Sequence, residues 1–288
     1  MWTFLEGIRP ARWWAVFLAA LVYTLVLISS FWLDESPVGD GVEFLRSHTR
    51  GVVSALLVYP LLALASVMFL LLRGGGLSCA DLGWKRRSLP SGLVVLVLAW
   101  LALGPVFSAV VPPEAGFDGL LMERHVELGI SALLTNLFGN ALAEETVFRA
   151  LLVPQLFLLG SRWLERRHAL LFAMLVSCAW FTLSHVPMAL SGEVGSVPFV
   201  YLSWVFLFGL GLAAVFLATR NLFVCVVLHA LWNAQQFLYV PFREDLELAW
   251  WLVCYAVIFV WAGVPAVLVR LRRIAFAPRA PAGHGGSP

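Results

Sequence analysis

Three short stretches of the sequence combine side chains that can activate water and stabilise negative charge. The first reads NLFGNALAEETVFR (136–149) and contains the adjacent carboxylates Glu144 and Glu145. The second, FTLSH, ends in His185, and the third reads HALWN (229–233). Carboxylates and imidazoles act as general acids and bases, and imidazole or amide N–H groups can stabilise a developing oxyanion. If the fold brings the three stretches together, they predict a hydrolytic site.

The two adjacent glutamates predict different roles. On an α-helix Glu145 and Arg149 are four residues apart and share a face, so they can form an ion pair. Glu144 points about 100° away from Glu145, on the face that carries Asn140 and Asn136. A carboxylate without a cationic partner in an apolar environment suits a general base working near neutral pH. The alternative is that this stretch provides only a structural ion pair within a helix bundle.

The histidines also have structural alternatives. A histidine near a helix end is often a hydrogen-bonded interface residue, and this alternative applies to His185. The spacing of four puts His229 and Asn233 on one face, where both can donate hydrogen bonds to one point or simply hold two helices together. Cys225 shares this face and could form a thiolate pair with His229, but cysteines in apolar helices usually pack as small apolar residues.

The composition requires a lipid bilayer. Of 288 residues, 61% are hydrophobic and only 12% are charged, so the polar surface is too small to enclose a water-soluble core. The net charge is +2 and the basic residues form short runs between apolar stretches, which argues against a nucleic-acid partner. A charged side chain in hydrocarbon costs about 2.5 to 3.5 kcal/mol on insertion scales. A common site is therefore a simpler interpretation of the three polar stretches than three separately neutralised groups.

Hydropathy predicts an all-α integral membrane protein, a bundle of about eight transmembrane helices with both termini cytoplasmic. With ~20 apolar residues per crossing, the predicted spans are 13–33, 52–72, 92–111, 129–150, 169–190, 197–218, 221–241 and 248–269. The fourth can continue past Pro154 toward Gly160. The loops alternate between basic and acidic, and basic loops prefer the cytoplasmic side. We expect one membrane domain (1–274) with a motif-bearing core (about 129–240) and a disordered tail (275–288).

The three stretches, in this order and on successive apolar segments, resemble the EExxxR, FxxxH and HxxxN motifs of the CPBP family. This family is the CAAX prenyl protease and bacteriocin-processing group, also called Abi. The resemblance covers about 129–240 and implies a glutamate-type intramembrane protease. It implies that Glu144 and His185 activate water, while His229 and Asn233 stabilise the oxyanion. The residues assigned to support the site are Glu145, Arg149, Asn140 and Phe181.

The expected reaction is hydrolysis of a peptide bond near the C-terminus of a membrane-associated or lipidated protein, or of a precursor peptide. We expect no cofactor and no metal, and a multi-pass location in the bacterial cytoplasmic membrane. Two alternatives stay open at this point. Two histidines and one glutamate can form a catalytic zinc site, or the polar groups can belong to a non-catalytic bacteriocin-immunity protein or a transporter.

Overall fold

The computed structural model describes Leu5 and residues 7–33, 37–49, 51–110, 129–191 and 197–238. Within these ranges the secondary structure is helical and no strand occurs, so the all-α prediction is confirmed for this part of the chain. The predicted eighth span (248–269) and the predicted tail (275–288) lie outside the described residues. The predicted domain limits stay predictions.

The helices of the described part overlap the first seven predicted spans, and one additional helix lies in the predicted loop between the first two spans. They are α1 (Trp13–Leu33), α2 (Pro37–His48), α3 (Ala55–Phe69, with a π turn Leu70–Gly74), α4 (Leu89–Val110), α5 (129–160), α6 (Arg166–Ser184), α7 (Val186–Leu190), α8 (Pro198–Thr219) and α9 (Leu222–Leu238). One predicted span (169–190) is divided, because α6 ends at Ser184 and α7 begins at Val186. Pro187 accounts for the break, since it has no N–H to continue the helical ladder.

Several of these helices are suited to a bilayer. By length and composition, three helices in the described part are long and apolar enough to cross a membrane: Ala55–Gly74, Arg166–Ser184 and Pro198–Thr219. The apolar stretches Trp13–Ser29 and Leu222–Ala234 are shorter. The number of eight crossings and the cytoplasmic side of both termini stay predictions.

The long helix α5 carries both glutamates, and its backbone hydrogen-bond pattern is irregular on both sides of them. It runs without interruption through Pro154 to Gly160, as predicted for the fourth span. A π turn (Asn136–Asn140) precedes the α-helical segment Ala141–Glu145, and a second one (Thr146–Leu152) follows it. π turns change the angular spacing of side chains and are frequent at functional sites. The two carboxylates therefore lie on a short α-helical segment between two widened turns.

Close packing fixes α5 against α3. A Cβ atom on Gly139 would lie 2.6 Å from the carbonyl oxygen of Leu56 and 2.8 Å from the Cα atom of Leu57. Real Cβ atoms do not approach backbone atoms this closely, so only glycine permits the observed distance between the two helices. Small residues at such crossings are typical of membrane helix packing.

Replacing Gly139 by Ala should therefore destabilise the fold. Because the new methyl group meets backbone atoms that cannot rotate away, we expect a loss of about 1–3 kcal/mol, the usual range for overpacking. The matched control is Gly41→Ala in α2, where the added Cβ would have nothing within 4 Å. Thermal unfolding in detergent should show a lower melting temperature for Gly139→Ala only, and equal melting temperatures would contradict the close contact.

Hydrogen bonds between distant segments hold α1 beside α5 and α6. Gln155, which is buried near the end of α5, accepts a hydrogen bond from the backbone N–H of Ala11 and donates one to the carbonyl of Arg9, both at 2.9 Å. Further along, Trp180 of α6 donates to the hydroxyl of Thr24 at 2.9 Å. These contacts fix the first helix along the face of α5 that carries the carboxylates.

Candidate active site

The structure brings Glu144, His185 and His229 together from three different parts of the chain. Glu144 lies on α5 and is 1% exposed. The Nε2 atom of His185, at the junction of α6 and α7, lies 3.9 Å from its Oε1. The Nε2 atom of His229, on α9, lies 3.3 Å from its Oε2. Two imidazoles therefore face one buried carboxyl group, one on each of its oxygens.

A second buried contact orients His229 from behind. Its Nδ1 atom lies 2.7 Å from Oε1 of Glu145, whose other oxygen lies 3.2 Å from Nε of Arg149. Glu145 and Arg149 are 0% and 1% exposed, so this ion pair lies fully inside the protein. Because one ring nitrogen of His229 is bound to Glu145, the other is held toward Glu144.

Phe181 is the packing centre of the site. The guanidinium of Arg149 lies 4.4 Å from the centre of its ring, a cation–π contact. The same ring meets His185 and His229 edge to face, with centroids 4.6 Å and 6.2 Å away. Its carbonyl oxygen lies 2.8 Å from Nδ1 of His185, which leaves Nε2 of that ring facing Glu144. The supporting role expected for Phe181 thus has a physical basis.

Gly209 of α8 makes room for this cluster. A Cβ atom at this position would lie 3.2 Å from the ring of Phe181 and 3.5 Å from Nη2 of Arg149. The carbonyl oxygen of Gly209 accepts a long hydrogen bond of 3.5 Å from the same Nη2 atom. No sequence pattern singled out this residue, because its contacts depend on which helix crosses α5 at Arg149.

The asparagines have partners different from the histidines. Asn233 donates a hydrogen bond of 2.9 Å to the side-chain oxygen of Asn136, and Asn136 in turn donates to the carbonyl of Ala132 at 2.8 Å. One of the two N–H groups of Asn233 thus donates to a residue of the first π turn of α5. Asn140 is half-buried and makes no hydrogen bond to these groups in the described structure. The role of Asn233 in stabilising the oxyanion and the supporting role of Asn140 both stay predictions.

Two tyrosines near Glu144 were not singled out by their sequence positions. Tyr23 of α1 is fully buried and packs edge to face on Phe148, and its hydroxyl is close enough to the Glu144 carboxyl to feel its charge. The hydroxyl of Tyr201 on α8 is also close enough to feel this charge, and it lies 3.3 Å from the sulfur of Met188. The only sequence signal was the presence of a phenol group within an apolar span.

Two alternative chemistries can be compared with the geometry. The thiol of Cys225 donates to the carbonyl of Leu212 at 3.6 Å instead of pairing with His229. Across the residues that the structure describes, no group of three or more His, Cys, Asp or Glu side chains is arranged to hold a metal ion. The imidazole of His229 and the carboxyl of Glu144 contact each other directly.

A family model matches the part of the chain that carries this site. The model of the family described as type II CAAX prenyl endopeptidase, Rce1-like, matches residues 95–235. This segment of the chain is similar to the Rce1-like CAAX protease family. The resemblance drawn from the three motifs is thereby confirmed, and the Rce1-like segment contains all four predicted catalytic residues. It begins within α4 and ends within α9, so α1, α2 and α3 lie before it.

The Rce1-like match and the apolar helices together indicate an integral membrane protein with peptidase activity. The comparisons with curated proteins and with solved structures found no match. The functional conclusions therefore rest on the Rce1-like segment and on the contacts that its residues make.

Proposed function

We propose that the protein is an intramembrane endopeptidase of the CAAX protease type in which Glu144 activates water. One observation carries this proposal: the Nε2 atoms of His185 and His229, from separate helices, face opposite oxygens of a single buried carboxyl group. A carboxyl with two imidazole neighbours can take a proton from water and return it later.

Charge balance in the cluster supports this role. Glu145 and Arg149 neutralise each other, so Glu144 adds one negative charge in a place with almost no access to solvent. If Nδ1 of His229 donates to Glu145, its Nε2 atom can face Glu144 favourably only with a proton between them. One proton shared between Glu144 and His229 makes the whole cluster neutral, which is the arrangement that a low-dielectric interior favours.

The proposed reaction uses water and no covalent intermediate. Glu144 takes a proton from water held near His185, and the water oxygen forms a bond with the carbonyl carbon of the peptide. Once Glu144 holds the proton from water, the N–H on Nε2 of His229 and the remaining N–H group of Asn233 stabilise the tetrahedral oxyanion. Glu144 then gives the proton to the amide nitrogen as the C–N bond breaks, and the new carboxylic acid passes its proton to the released amine, which leaves a carboxylate and an ammonium group.

The exposure of the side chains indicates the side from which a peptide can enter. His185 has 15% of its side chain exposed, whereas Glu144 and His229 have 1% and 3%. Asn233 and its neighbour Trp232 are half-buried, and Trp232 stacks on Phe208 with centroids 5.2 Å apart. We therefore propose that the scissile carbonyl approaches between His185 and Asn233, along an apolar surface suited to a lipidated or apolar C-terminus.

The direct test is peptide cleavage by purified protein in liposomes. Substrates would be a farnesylated peptide ending in a CAAX sequence, the same peptide without the lipid, and an apolar precursor tail, with products identified by mass spectrometry. We expect internal cleavage near the C-terminus of at least one of them. The absence of cleavage together with proton or ion flux would instead indicate a transporter.

We also predict that chelators leave the rate of cleavage unchanged. The proposed base is a carboxyl group, so incubation with 1,10-phenanthroline or EDTA should remove nothing that the reaction needs. The measurement is the initial rate before and after chelation and dialysis, alongside the metal content of the purified protein. Loss of activity that added Zn²⁺ restores would contradict the water-activating role of Glu144 alone and would support a metalloprotease.

A further inference from the structure

Several buried polar atoms of the site have no hydrogen-bond partner of good geometry in the described structure, and two of them come from different helices. They are the hydroxyl of Tyr23 on α1 and the Oε2 atom of Glu144 on α5, which lies 3.3 Å from Nε2 of His229 without hydrogen-bond geometry. Both side chains are almost completely inaccessible to solvent. Buried tyrosine hydroxyls normally find a partner, and an unsatisfied buried group is costly. Unpaired polar atoms on neighbouring helices therefore require an explanation.

The two side chains lie on segments that pack against each other. Tyr23 packs edge to face on Phe148, with centroids 5.7 Å apart and an angle of 82° between the rings. Phe148 belongs to the π turn that directly follows Glu145, so this contact places the phenol beside the segment that carries the carboxylates. Glu144, four residues before Phe148 on the same helix, is close enough for its carboxyl group to influence the Tyr23 hydroxyl electrostatically. The hydrogen bond from Trp180 to Thr24 fixes the neighbouring position of α1.

We propose that Tyr23 is a positioning residue whose hydroxyl donates a hydrogen bond to the Glu144 carboxylate. This proposal rests on the proposed function, in which Glu144 is the general base. A phenol is a neutral donor, so it stabilises the ionised carboxylate without adding charge to a cluster that is already balanced. It also holds the carboxyl in one orientation between the two imidazoles. The first helix, which lies outside the Rce1-like segment, thus completes the site.

Other ionisable groups around Glu144 come from four elements. They are Glu145 and Arg149 on α5, His185 at the end of α6, His229 on α9 and Tyr201 on α8. Arg149 is already bound to Glu145, and Tyr201 to Met188. Of these groups and Tyr23, only Tyr23 offers a neutral O–H donor that has no other partner in the described structure.

The test compares Tyr23→Phe with Tyr59→Phe. Tyr59, on α3, is a buried tyrosine of the same bundle, and phenylalanine keeps the aromatic ring at both positions. For Tyr23→Phe we expect kcat to fall about 10-fold with little change in KM, as for the loss of a hydrogen bond to a charged group. We also expect the acidic limb of the pH–rate profile to move to higher pH by about one unit, because the ionised base loses a donor. Tyr59→Phe should match the wild type in both measurements.

A second measurement does not depend on peptidase activity. Dicyclohexylcarbodiimide modifies protonated carboxyl groups in apolar surroundings, so the pH dependence of Glu144 labelling, read by peptide mass spectrometry, reports its ionisation. Glu144→Gln serves as the blank. The pH of half-maximal labelling should rise in Tyr23→Phe and stay at the wild-type value in Tyr59→Phe.

The outcomes separate the two proposals. Identical labelling curves for Tyr23→Phe and Tyr59→Phe would overturn the role of Tyr23, even if the wild type cleaves peptides. A shifted labelling curve in a protein that cleaves none of the peptides would support the Tyr23–Glu144 hydrogen bond and count against the peptidase. A shifted curve together with a shifted pH–rate profile supports both.

Discussion

Replacing Glu144 by Gln should lower the rate of peptide cleavage by about 10²- to 10⁴-fold, the range typical of a lost general base. Glutamine has nearly the same shape as glutamate, but its amide cannot accept a proton from water. The side chain would still lie between His185 and His229 and could bond to both. We therefore expect a folded, membrane-inserted protein with almost no turnover, measured as the initial rate of product release in liposomes.

The matched control is Glu165→Gln, the same chemical change in the loop before α6. Glu165 is largely exposed and contacts Arg167 at the surface. This variant should cleave at the wild-type rate. Turnover of Glu144→Gln within a few-fold of this control would count decisively against the assigned base, whereas equal melting temperatures would show that the loss is chemical and not structural.

Replacing Arg149 by Met should cause the largest loss of stability among the variants considered. The guanidinium is buried and bound to Glu145, so its removal leaves a carboxylate in the interior without its cation. Breaking a buried ion pair in this way typically costs about 3–5 kcal/mol. Methionine has a similar length and packs well on aromatic rings, which limits the loss of contact with Phe181. Chemical unfolding in detergent would measure the effect.

The double variant Glu145→Gln, Arg149→Met distinguishes a charge effect from a packing effect. If the unpaired carboxylate causes the loss, the double variant should be more stable than Arg149→Met alone. Arg46→Met provides the surface control, because it removes an ion pair with Glu43 in which both side chains are more than half exposed. Exposed pairs contribute little. A double variant less stable than the single one would contradict this account.

The centre of the site is α5, which contains two π turns. They lie on both sides of the segment that carries Glu144 and Glu145. Adjacent side chains on a regular helix point about 100° apart, so the two glutamates can contact different groups. Glu145 contacts Arg149 and one nitrogen of His229, while Glu144 contacts the other nitrogen of the same ring. His229 therefore connects the structural ion pair with the proposed base.

The sequence predicted the helices well because their lengths follow from a single physical constraint. A membrane helix must be apolar over the thickness of the bilayer, and the predicted first span (13–33) coincides with the first helix. The ion pair of Glu145 and Arg149 could also be expected, since four residues along a helix bring two side chains together. The division of the fifth span was not predicted, although Pro187 was a local signal for it.

The arrangement of the site depended on contacts that local spacing does not encode. The HxxxN spacing puts His229 and Asn233 on one face, but α5 meets them with a carboxyl at one position and with Asn136 at the other. The contact of His229 with Glu145 joins residues 84 positions apart. Tyr23 is farther away still, on a helix whose sequence shows only an apolar span.

The sequence by itself predicted a helical membrane protein, the helices that carry acid, imidazole and amide groups, and the family that they resemble. Only the tertiary structure decided which ring nitrogen faces which carboxyl oxygen, that Gly209 lies beside Arg149, and that the first helix packs on the segment next to the carboxylates. The reason is physical. Hydrophobicity and helical period act within one segment, whereas the partner of each polar side chain depends on how the helices cross, and at Gly139 the crossing leaves no room for a side chain.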